Sequence, residues 1–123
     1  MSYDSRLYVV DRWGYDGKVY GREIAIMDMG QLGSKFPYKE VFPKDIDFDM
    51  RWFHVFREED DDVFRTDDYG RTCTMGKLAD VLAYFEEWAE RDDYRRLQPF
   101  VGLLRGFDPS QWDGELVVVH YGH

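Results

Sequence analysis

The segment from Asp45 to Asp68 sets the hardest limit on how this chain can fold. It holds ten carboxylates against three arginines, a net −7 of the chain's −9, in 24 of 123 residues. Five of the carboxylates, Glu58 to Asp62, are consecutive, and burying them together would carry large desolvation and repulsion costs. They must lie near solvent, so the flanking segments have to supply most of the core. With 44% hydrophobic and 18% aromatic residues, the chain has too much buriable surface for a disordered acidic tail. Its length suits one hydrophobic core, which predicts a single domain over residues 1–123.

The flanks carry periodicities that assign elements. Arg6, Tyr8 and Val10 alternate with Leu7 and Val9, as in a strand. Turn residues follow from Trp13 to Lys18, and Lys18 to Met29 reads as a second strand, giving a hairpin. Gly21 inside that strand marks a bulge or a close backbone approach. Gly30 to Pro37 and then Pro43 break the pattern, with short extended pieces between them, and Met50 to Arg57 regains strand character. Thr74 is expected to cap a helix whose apolar face holds Leu78, Leu82, Phe85 and Ala89. Asp92-Asp93 interrupts it, Tyr94 to Leu104 forms a second short helix, and Glu115 to Tyr121, with three consecutive valines, is the terminal strand. The order predicts an α+β fold, a mostly antiparallel sheet with one or two helices packed on one face.

Catalytic and metal-binding patterns are absent from the sequence. Asp45, Asp47 and Asp49 begin like a calcium loop, but Met50 stands where glycine is needed and Phe56 where a bidentate glutamate is needed. Asp60, Asp62, Asp67 and Asp68 offer at most a looser divalent site. His54, His120 and His123 lack zinc spacing, although folding could bring His120 beside Asp28. Cys73 lies just before the expected helix, where its thiolate would gain slightly from the helix terminus, with Arg71 the nearest cation. Gly30 to Lys35 lacks the full phosphate-loop pattern. The expectation is a protein that is not an enzyme and that holds no metal or cofactor. A single cysteine forms no intrachain disulfide and suits a reducing cytoplasm, and no segment has the pattern of a membrane span or a secretion signal.

A pI near 4.7 disfavours direct binding to nucleic acid or anionic lipid and favours the basic surface of a protein. If residues 45–49 are extended, Asp45, Asp47 and Asp49 point the same way at intervals of about 6.6 Å. That spacing suits arginines built to hold a phosphate backbone. The expected partner-binding set is therefore Asp45, Asp47, Asp49, Glu58, Glu59, Asp60, Asp61, Asp62, Asp67 and Asp68, with Trp52 and Tyr69 as apolar anchors.

The tract Ile24-Ala25-Ile26-Met27-Asp28-Met29-Gly30, the acidic segment Asp45 to Asp68 and the amphipathic run Leu78 to Ala89 give a layout similar to that of small acidic phage-encoded accessory proteins, anti-CRISPR proteins among them. The resemblance lies in size, acidity and layout and implies an inhibitor that binds a host-defence effector. Two modes follow from it. The acids block a guide- or DNA-binding groove, or an aromatic surface around Trp88, Tyr94 and Trp112 locks an effector conformation. The alternative is a small assembly module, with a homodimer formed through Leu116 to Tyr121 or another exposed strand edge.

Overall fold

A two-residue turn sets the frame of the fold. In this computed structural model, which describes residues 5–30, 32–33, 35–51, 63–66 and 70–122, strand β1 (Ser5–Tyr15) turns into β2 (Lys18–Gly30) through Asp16 and Gly17, with φ of 52° and 76°. Positive φ at both turn positions matches the right-handed twist of the strands, and glycine adopts it without a steric cost. The register runs from Tyr15 opposite Lys18 to Val10 opposite Glu23. There Ile24 is inserted as an extra residue, and Val9 faces Ala25. Gly21 is thus not the bulge. It is a close approach, because a Cβ at this position would overlap the ring of Phe48.

After the hairpin come α1 (Tyr38–Val41), β3 (Lys44–Asp45), β4 (Met50–Arg51), β5 (Val63–Phe64) and β6 (Thr74–Lys77). Next are α2 (Leu78–Ala89), a 3₁₀ segment (Asp92–Leu97), α3 (Gln98–Arg105), a 3₁₀ turn (Pro109–Gln111) and β7 (Glu115–Gly122). The main sheet is antiparallel throughout in the order β2-β1-β7-β6-β3, while β4 and β5 form a separate ladder. This is the α+β architecture expected from the sequence.

The two faces of the sheet build two cores. Leu7, Val9, Met27, Leu116 and Val118 face the helices, where Val81, Phe85, Leu97 and Leu104 are buried. Tyr8, Val10, Val117, Val119 and Tyr121 face the other way, under Ile46, Phe48, Met50, Cys73 and Met75. Strand alternation in β1 and β7 sends successive apolar residues to opposite faces, so neither strand has a solvated side along most of its length.

Several local expectations are overturned. Thr74 does not cap a helix: Thr74 to Lys77 pairs with Val117 to His120, and α2 begins at Leu78 without a side-chain cap. Four residues of sheet pairing and the burial of Met75 outweigh one cap hydrogen bond, worth about 1 kcal/mol. Cys73 is accordingly buried in the second core, away from the start of α2. Tyr38 to Val41 is one helical turn, not an extended piece. Leu116 to Tyr121 lies between β1 and β6, so this strand offers no edge for a dimer. Only Met50 and Arg51 of the strand expected from Met50 to Arg57 fall within the described residues.

Candidate protein-binding face

The outward stripe of acids exists, and it arises from how residues 45–50 cover the second face of the sheet. Ile46, Phe48 and Met50 are buried while Asp45, Asp47 and Asp49 are exposed. The main chain is held at one end by Lys44 and Asp45 pairing with Met75 and Thr74, and by the Ile46 N–H donating to the carbonyl of Cys73 at 3.0 Å. Phe48 drops into the space left by the missing side chain of Gly21. Alternation therefore persists although ladder pairing covers only Lys44–Asp45 and Met50–Arg51.

Two of the three acids already hold cations. Arg12, on the same face of β1 as Tyr8 and Val10, donates from Nε to Asp47 Oδ1 at 2.9 Å and from its terminal nitrogen to Oδ2, a two-pronged pair. The Arg12 guanidinium holds the Asp47 carboxyl below the ordinary carboxylate range, and the carboxylate raises Arg12 in turn. Arg65 donates from Nε to Asp49. Asp45 makes no ion pair among the described residues. Locally, three carboxylates meet two guanidiniums, so the field at this stripe is much weaker than the sequence window suggests. Arg12 lies outside the acidic segment in sequence, and only its strand parity hints that it shares this face.

Of the other expected partner-binding residues, Trp52, Glu58, Glu59, Asp60, Asp61, Asp62, Asp67, Asp68 and Tyr69 lie outside the described residues. The loose divalent site of Asp60, Asp62, Asp67 and Asp68 falls there too, as does His54. No three His, Cys, Asp or Glu side chains converge on a metal position among the described residues. His120 and Asp28 do not meet. The His120 ring stacks on Tyr38 and Phe42 and lies 3.1 Å from Ser5 Oγ, whereas Asp28 accepts the Gly30 N–H on the far edge of β2. Their register explains it, since His120 pairs with Leu7 and Asp28 with Arg6, which face opposite sides. Tyr94 is only 8% exposed and packs on Phe36 and Trp88, so it belongs to the core and not to an aromatic surface.

Two acids that sequence reasoning passed over carry more electrostatic consequence. Asp11, 1% exposed, accepts the Gly114 N–H at 2.8 Å and an Arg22 N–H at 3.3 Å, and the Arg22 guanidinium lies over Trp112. It clips the loop before β7 onto the hairpin. Glu23 is half-buried with both carboxylate oxygens covered and, among the described residues, without a hydrogen-bond donor, and burial pushes its pKa up to about 7. An acid at an edge-strand position is ordinarily a solvated residue, so nothing in the sequence distinguishes it.

Glu23 lies at one end of a cleft of about 740 Å³ lined by Gly17 to Glu23 on one side and by Asp47 to Met50 with Arg65 on the other. Trp13 and Tyr20, stacked with ring centroids 5.8 Å apart, add an aromatic border. No family model, curated protein or solved structure matches the chain. No helix is long and apolar enough to cross a membrane among the described residues.

Proposed function

We propose that this chain is a protein-binding inhibitor that lays the face carrying Asp45, Asp47 and Asp49 on a basic surface of a partner, in competition with nucleic acid for that surface. The alternation of residues 45–50, with three apolar side chains anchored inward and three carboxylates exposed, is the observation that carries this proposal. A row of acids on an anchored backbone costs less conformational entropy to bind than the same acids on a free tail. Arg12 and Arg65 act as resident counterions. Exposed pairs of this kind contribute about 0–1 kcal/mol, so a partner's guanidinium can replace them at small cost. The acids from Glu58 to Asp62 and Asp67-Asp68, with Trp52 and Tyr69, extend the same contact in sequence. The resemblance to phage accessory proteins supplies a partner class, a nucleic-acid-binding effector of the CRISPR kind.

The test is affinity capture at matched salt with wild type, Asp45→Asn/Asp47→Asn/Asp49→Asn and Asp60→Asn/Asp61→Asn/Asp62→Asn, followed by competition with duplex DNA and with RNA. The expected result is a nucleic-acid-binding protein captured by wild type, lost from at least the first variant and displaced by excess nucleic acid. Equal capture by all three proteins, or a complex that excess DNA and RNA leave intact, would reject the proposal.

A further inference from the structure

Arg12 stands between two carboxylates and bonds to one of them. β1 and β7 pair from Ser5 opposite Gly122 to Arg12 opposite Glu115, so these two residues close that ladder. Residues directly opposite in antiparallel strands share a face, with Cβ atoms about 4.5–5.5 Å apart. Glu115 and Arg12 therefore lie on the face of the sheet that residues 45–50 cover, the face of Tyr8, Val10, Val117 and Val119. The residue ahead of Glu115 is pinned to β1. The Gly114 N–H donates to buried Asp11 at 2.8 Å, and a Cβ on Gly114 would overlap the carbonyl of Arg12. Glu115 is exposed and makes no ion pair among the described residues.

The guanidinium has donors to spare. It bonds Asp47 through Nε and one terminal nitrogen, which leaves the other terminal nitrogen without a hydrogen bond among the described residues. The hydrogen bond to Asp47 does most to raise Arg12 above its ordinary range, and the charge of Glu115 acts in the same direction. The pair with Asp47 is exposed, so water and a second carboxylate can replace it with little loss. Arg65 also acts on Asp47 through its charge, but its hydrogen bond goes to Asp49.

We propose that Arg12 is an internal competitor for the acidic face, swinging from Asp47 to Glu115 when a partner's arginine takes Asp47, a role that rests on that face being the protein-binding surface. Glu115 lies outside the stripe and is a positioning residue that acts through Arg12. Without a second carboxylate, the displaced guanidinium would face an arriving basic surface as a like charge, which opposes docking. With Glu115 opposite, Arg12 stays paired in both states and the stripe opens without exposing a free cation.

The test is a double-mutant cycle in the full chain with wild type, Arg12→Gln, Glu115→Gln and the double variant. The probe is a peptide of alternating arginine and glycine. Its titration is followed by NMR at the side-chain carboxyl carbons of Asp45, Asp47, Asp49 and Glu115 and at the Arg12 Nε–H. In wild type the Arg12 and Glu115 signals should move with the same midpoint as Asp47. Arg12→Gln should tighten binding by about two- to fivefold, the scale of an exposed ion pair. Glu115→Gln should weaken it by about two- to fivefold in wild type and change nothing in the Arg12→Gln background. A plain loss of negative field would weaken binding equally in both backgrounds, and that result overturns the proposal. So does an Arg12 Nε–H signal that stays still while Asp47 shifts, or an Arg12→Gln variant that binds no more tightly. Stripe carboxyls that shift with an additive cycle reject the role of Arg12 alone. Stripe carboxyls that the peptide leaves unmoved in all four proteins reject the binding face itself, and this role with it.

Discussion

Replacing Glu23 by glutamine should flatten one component of the protein's stability against pH. Both oxygens of this carboxylate are covered and lack a donor among the described residues, and burial raises its pKa from 4.5 to about 7. Between those values the folded state binds more protons than the unfolded state, so the stability of folding decreases as pH rises. Below about pH 4.5 the group costs nothing in either state. The loss builds between about 4.5 and 7 and stays constant above, once the carboxylate is ionised in both states. A difference of about 2.5 pH units at about 1.36 kcal/mol each sets a ceiling of about 3 kcal/mol. The side chain is half-buried, and solvent screening reduces the expected effect to about 1–2 kcal/mol. In a chain of this length each kcal/mol moves Tm by about 3–6 °C. The assay is urea and thermal unfolding of wild type and Glu23→Gln at pH 5, 6, 7 and 8, read as the difference between the two proteins so that other titrating groups cancel. The variant should gain about 1–2 kcal/mol on wild type between pH 5 and 8. Parallel stability curves would refute the reasoning, because they would mean that the carboxylate reaches water or a donor when ionised.

Gly21→Ala should destabilise by about 1–3 kcal/mol, since the added methyl meets the ring of Phe48; combining it with Phe48→Leu should recover part of the loss in a double-mutant cycle, and additive losses would count against the contact. Asp47→Asn should cost less than about 1 kcal/mol at neutral pH and low salt, because its pair with Arg12 is exposed. That contribution is present above the unfolded carboxylate pKa and is lost as pH falls through the depressed folded value, so variant and wild type should converge in acid denaturation.

The hairpin, the amphipathic face of α2 and the terminal strand were legible because each rests on a period that local sequence displays. Val9, Val10 and the valines of β7 alternate between two cores, and Phe85 and Ala89 sit a helical repeat from Leu78. The beginning of α2 was misplaced because Thr74 has a good cap chemistry but a better use in the sheet, a choice made by Val119 and His120 far away in sequence. The acidic stripe was legible in its alternation and not in its charge, since Arg12 joins Asp47 from 35 residues away. Glu23 and Asp11 were illegible for the same reason. Asp11 is held by the loop at Gly114, a partner that no local pattern of charge or hydropathy identifies, and the covering of Glu23 is likewise set by the fold and not by its neighbours in sequence.

The position of β7 has a consequence for how the chain reaches this state during synthesis. It follows the other described strands in chain order, yet it sits between β1 and β6. Until it is made, the N-terminal hairpin and the helical remainder share no ladder among the described residues, and β1 presents a second long open edge beside Leu7, Tyr8, Val9 and Val10. A chain truncated before Glu115 therefore keeps face-to-face packing between the hairpin and the remainder but loses the strand that joins their ladders, and is not a smaller version of the fold. That edge of β1 stays open until the eight-residue strand Glu115–Gly122 arrives to close the seam.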